Sequence, residues 1–73
     1  MDKEIKKFCE NFAKNLKEER KVKNLTQKQV AEMINIKTQS YQAYESGVSL
    51  PTVENLLKLA KVLDLSLEDL FNN

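Results

Sequence analysis

The 73-residue sequence predicts an all-α fold of five helices, and three observations carry that expectation. Apolar residues recur at three- and four-residue spacing along the chain, no run alternates in the manner of a strand, and no Asn-Gly hairpin signal interrupts them. At this length there is room for one domain, residues 1–73, and one small core, close to the lower limit for folding without a disulfide or metal.

The first helix is expected over about Lys3 to Lys21, where Ile5, Phe8, Phe12 and Leu16 mark one apolar face and lysines and glutamates the other. Thr26 and Gln29 are spaced as a capping box and Leu25 and Val30 as a hydrophobic staple, which starts a second helix over about 26–34. Val30, Ala31 and Ile34 face inward on it, with Ala31 small enough for a crossing helix to come close. Asn35 follows where a tight turn needs a left-handed residue, and Asn tolerates that conformation best after glycine. The third helix runs from Thr38 with Tyr41, Tyr44 and Val48 as its inward positions, and it stops at Gly47, the one glycine in the chain. Pro51 and Thr52 open a fourth helix over about 52–63 on which Val53, Leu56, Leu57, Ala60 and Leu63 form a broad apolar stripe. Ser66-Leu67-Glu68-Asp69 is the start signature of a short fifth helix, with Leu65 and Leu70 placed as its staple.

Two short helices hinged at Asn35, with Thr38, Gln39 and Gln42 outward on the second, read as a helix-turn-helix over about 26–47. In that motif the second helix enters the DNA major groove. A glutamine amide donates and accepts at once and so matches adenine, while a threonine methyl meets a thymine methyl. Any solvated amphipathic helix pair shares these spacings, so periodicity alone leaves both readings open.

From about Leu16 to Phe71 the chain resembles the phage lambda repressor and Cro family of helix-turn-helix regulators. The matching residues are Leu16-x3-Arg20, Leu25-Thr26-Gln27-x2-Val30-Ala31, Ile36, Tyr44-Glu45-x-Gly47, Pro51-Thr52, Leu56-Leu57-x-Leu59-Ala60 and Leu65-Ser66-Leu67-x2-Leu70-Phe71. The resemblance implies a five-helix lambda-repressor-like DNA-binding domain in which Thr38, Gln39 and Gln42 face base edges and Gln27 meets a DNA phosphate. It implies that Arg20 and Glu45 form a structural ion pair joining the first and third helices. It also implies a homodimer on a palindromic operator, formed through a region of about 57–73, with Leu65, Leu67, Leu70 and Phe71 at the interface. Two positions depart from the pattern. Lys37 stands where a Ser or Thr cap is common, leaving the cap to Thr38 or the lysine to a phosphate, and Ala43 stands where relatives often carry a longer DNA-facing side chain.

Net charge is only +1, but it is graded along the chain. Residues 1–25 carry eight Lys or Arg against five Asp or Glu, residues 26–47 two against two, and residues 48–73 two against four. Lys21, Lys23, Lys28 and Lys37 are therefore candidate phosphate contacts, with the acidic end kept away from DNA. With no His, no Trp and one Cys, neither a His-based nucleophile triad nor a typical zinc site can be assembled, so catalysis, a metal and a cofactor are not expected. Cys9 reads as a half-buried structural thiol. No signal peptide is visible and no segment nears the about 20 apolar residues of a membrane span, so a cytoplasmic protein is expected, with no small-molecule ligand. The expected activity is sequence-specific binding of double-stranded DNA by a transcriptional regulator, repression before activation. The alternative is a protein-interaction module of the same fold, such as the antitoxin partner of a toxin.

Overall fold

A computed structural model describes residues 2–71, with helices α1 (Lys3–Val22), α2 (Gln27–Met33), α3 (Thr38–Ser46), α4 (Val53–Val62) and α5 (Leu67–Phe71). No strand occurs among the described residues, and the all-α expectation holds. Residues 72–73 of the expected dimerisation segment lie outside the described residues.

Helix starts are set by local side-chain chemistry. Asp2 accepts from the backbone N–H of Glu4 at 2.7 Å, and Thr52 from that of Asn55 at 3.1 Å. Thr26 and Gln29 form the reciprocal capping box, at 3.0 and 2.8 Å, and Ser66 and Asp69 form another, at 3.1 and 3.0 Å. Lys37 occupies the α3 cap position with no side-chain hydrogen bond, and Thr38 does not take over that role.

The helix ends repeat one device. Asn24, Asn35, Gly47 and Asp64 follow α1 to α4 with φ of 58°, 60°, 79° and 54°. After each, the next residue's N–H returns to a carbonyl in the helix's last turn: Leu25 to Arg20 at 3.3 Å, Ile36 to Ala31 at 2.9 Å, Val48 to Ala43 at 3.1 Å and Leu65 to Ala60 at 2.8 Å. Leu25, Ile36 and Leu65 then fold back onto the core. Val48 does not. Although helical spacing assigns it to the inside, it lies beyond the end of α3, where the left-handed Gly47 turns the chain outward, and it is 81% exposed.

Helix α1 packs on α3 and α5, α2 on α3 and α4, and α4 on α5. The core consists of Phe12, Leu16, Val30, Ala31, Ile34, Tyr41, Tyr44, Leu59, Leu63 and Leu70. Phe12 stacks on Phe71, and Asn15 Nδ2 donates to the Leu70 carbonyl at 3.0 Å. Helix α5 is thereby fixed along the middle of α1.

Several residues of the expected apolar stripes lie outside that core. Ile5 and Phe8 are exposed because α5, which covers Phe12, reaches no farther along α1 within the described residues. Val53 and Leu57 are exposed because the small body covers only the Leu59 and Leu63 side of α4, with Leu56 and Ala60 at its margin. Cys9 is buried rather than half-buried. Leu70, expected at a dimer interface, is fully buried inside the chain, where α1 and α4 enclose it, so its side chain offers no surface to a partner. Leu65 and Phe71 pack partly on the core, and Leu67 remains on the surface.

Candidate nucleic-acid interface

The two helices of the candidate site are held by one polar cluster beneath them. Arg20, at the end of α1, donates through Nε to Glu45 Oε2 at 2.6 Å and through Nη2 to Glu45 Oε1 at 3.0 Å, a bidentate pair joining α1 to α3. Its Nη1 donates to the Leu25 carbonyl at 2.7 Å, which ties the α1–α2 turn to the same point. The Tyr41 hydroxyl donates to Glu45 Oε2, and Gln27 Nε2 donates to Glu45 Oε1 at 3.1 Å.

The side chains of Arg20 and Glu45 are 11% and 3% exposed, so the pair is largely removed from water. Burial by itself raises the pKa of Glu45. The hydrogen bonds from Arg20, Tyr41 and Gln27, with the Arg20 charge, outweigh burial and hold the carboxyl below its ordinary value. Tyr41 moves the other way: burial, then the hydrogen bond to Glu45 and its negative charge, pushes the phenol far above its ordinary range. The cluster is therefore an ionised carboxylate surrounded by donors. No buried side-chain N or O lacks a partner among the described residues.

With Tyr41 and Tyr44 turned inward, α3 presents its opposite side to solvent. The tyrosine rings meet edge to face, with centroids 6.2 Å apart, and Asn55 Nδ2 donates to the Tyr44 hydroxyl at 3.2 Å, fixing the roll of α3 against α4. Gln39 and Gln42 are exposed and Thr38 is partly so. The Gln39 side chain makes no hydrogen bond among the described residues. Gln42 Nε2 donates to Gln27 Oε1 at 3.2 Å. Gln27 is thus engaged at both ends of its amide, and a phosphate can meet the second N–H of its Nε2 as well as the first-turn backbone N–H groups of α2. Lys21, Lys23, Lys28 and Lys37 are all exposed.

Lys17 is the residue that sequence reasoning passed over. It shares a cleft with Gln27, Gln42, Glu45 and Ser46. Its signal was available: it precedes Arg20 by three residues, so once Arg20 is placed under α3, helical spacing sets Lys17 on the adjoining side. Among the described residues no group of His, Cys, Asp and Glu is arranged to hold a metal, and no helix is long and apolar enough to cross a membrane.

The helix-turn-helix family matches residues 16–70. The chain is similar to the cryptic phage CTXphi transcriptional repressor RstR of Vibrio cholerae, 49% identical over 55 residues covering 75% of this chain and 49% of that protein. It is 41% identical to the uncharacterized HTH-type transcriptional regulator YqaE of Bacillus subtilis over 57 residues, covering 78% of this chain and 49% of the relative. Multiprotein-bridging factor 1a of Arabidopsis thaliana is 47% identical over 45 residues, 62% of this chain and 32% of that protein. The chain spans about half the length of the two bacterial relatives. No solved structure gives a significant match.

Proposed function

The chain belongs to the helix-turn-helix family of lambda repressor and Cro type, and from that premise we propose that it is a sequence-specific DNA-binding transcriptional regulator acting as a repressor. The observation that carries this reading is the exposed polar face of α3. Gln39, Gln42 and Thr38 stand outward on a helix whose other side is fixed by two buried tyrosines and a bidentate ion pair. Side chains on a rigid element can discriminate bases, because little ordering remains to be done on binding. Lys28 on α2 and Lys37 at the start of α3, with Lys17 and Lys21 on α1 and Lys23 just past its end, contact phosphates, as do the first-turn N–H groups beside Gln27. The name of the Vibrio relative supports repression.

In this reading residues 1–73 are one domain that binds as a homodimer to a palindromic operator in the cytoplasm, without cofactor or catalysis. A two-fold axis sets the two α3 helices about 34 Å apart, one turn of DNA. Among the described residues of 57–73, the apolar surface available for pairing is the exposed Leu57 and Leu67 with the outer parts of Leu65 and Phe71.

The test is selection of bound duplexes from a random DNA library, with winners compared against scrambled DNA at two salt concentrations. A palindromic winner bound about a thousandfold more tightly than scrambled DNA is the expected result. Absence of any enriched sequence, with binding that vanishes as salt rises, would overturn the reading and favour a protein partner such as a toxin.

A further inference from the structure

The exposed glutamines of α3 are the same residue type in different circumstances. Gln39 is unrestrained within the described residues, whereas Gln42 hangs at the end of a relay that begins at a charge. We propose that Gln27 is a specificity-determining residue that fixes which end of the Gln42 amide is offered to DNA. This inference rests on the DNA-binding reading above.

The relay follows from donor and acceptor inventories. Glu45 is ionised and accepts only, with Arg20, Tyr41 and Gln27 arranged around its two oxygens. Gln27 must therefore turn its amide nitrogen toward Glu45, since the reverse orientation sets a carbonyl oxygen against a carboxylate oxygen. With the nitrogen turned to Glu45, the oxygen is the end of the Gln27 amide that faces Gln42, and it accepts from Gln42 Nε2 at 3.2 Å. One N–H of Gln42 is then occupied, and its Oε1 and second N–H are left for a base. The polarity of an exposed amide is set by a carboxylate two links away.

An amide held with its oxygen free favours a base edge that donates. Adenine donates from N6 and accepts at N7, which suits the oxygen and the remaining N–H together, and cytosine donates from N4. Guanine presents O6 and N7, both acceptors, and meets the oxygen unfavourably. Gln42 therefore selects adenine or cytosine over guanine at one position in each half-site. Gln39, able to turn either way, discriminates less between these edges.

Gln42→Ala first identifies the operator position at which base preference disappears. At that position the wild-type protein is expected to disfavour guanine by about tenfold or more, the discrimination of one good side-chain contact. In Gln27→Met, which keeps the side chain's length and leaves the Arg20–Glu45 pair in place, guanine should be admitted there while preference at the Gln39 position is unchanged. Adding Gln27→Met to Gln42→Ala should produce no further change in base preference. A thermal melt serves as the folding control, and the wild-type measurement stands whether or not the variant folds. Wild-type tolerance of guanine at the Gln42 position, or a Gln27→Met effect that is equal for all bases, would overturn the relay. Absence of any selected sequence would instead overturn the DNA-binding reading on which it rests.

Discussion

In the α2–α3 pair the side chains beneath the outer face are tied down, from the Thr26 capping box to the Glu45 cluster, whereas α4 and α5 leave Val53, Leu57 and Leu67 on the surface. One half is finished by hydrogen bonds within the chain and displays polar tips. The other is held by Leu59, Leu63 and Leu70 and displays hydrocarbon. The difference teaches that rigidity and stickiness have been assigned to separate surfaces. A helix that reads bases needs fixed, hydrated side chains, while a surface for another protein gains from unfinished apolar area.

The comparison breaks most severely if the polar half loses its centre. Glu45→Ala leaves the Arg20 guanidinium buried without its partner, which costs about 3–5 kcal/mol. A chain of this length has roughly 4–11 kcal/mol of total stability, so the loss removes a large share of it, and chemical denaturation should find the variant's midpoint strongly lowered. The same centre should respond to pH. The Glu45 carboxyl has its folded pKa below the ordinary 4.5, so its contribution is complete above that value and is lost as pH falls through the folded pKa. Tyr41 has its folded pKa above the ordinary 10.0, so its contribution is complete below pH 10.0 and declines as pH rises beyond it. A stability plateau between these limits, mapped by urea midpoints, is the expected profile. A midpoint that stayed constant well below pH 4.5 would contradict the ionised cluster.

Gly47→Ala tests how far the end of α3 depends on one backbone conformation. A Cβ there would meet only Ala13 Cβ, at 3.9 Å, so the cost is the left-handed strain alone, about 1–2 kcal/mol, measurable as a lowered denaturation midpoint. Thr26→Ala removes the acceptor for the Gln29 N–H and should cost about 1 kcal/mol, with DNA affinity falling only as far as folding does. The smallest effect on stability belongs to the apolar half. Leu67→Glu should stay within about 0.5 kcal/mol of the parent, since the residue is exposed, yet weaken self-association in analytical ultracentrifugation. An early melt in that variant would mean that Leu67 completes the core and that the two halves are less different than they look.

What could be read from the sequence divides along the same line. Helix starts and stops at Thr26, Asn35, Thr52 and Ser66 were legible because each depends on chemistry within three or four residues. The exposure of Ile5, Phe8, Val53 and Leu57 was not, because periodicity gives the direction of a side chain and not the extent of the element that would cover it. Val48 was misplaced for a related reason: three-and-four spacing was carried one step past the residue that ends the helix. Gln27 was legible as a residue at a helix start, but its bonds to Glu45 and Gln42 depend on how α2 crosses α3, and no local spacing reports that.

The inward turn of both tyrosines also has an optical consequence. The chain contains no tryptophan, so its near-ultraviolet absorbance and emission come from Tyr41 and Tyr44, which lie within the core beneath the outward face of α3. The chromophores therefore follow the loss of packing and are shielded from whatever settles on the polar side of α3. Tyrosine emission can thus report the folding of the protein alone, with no added label.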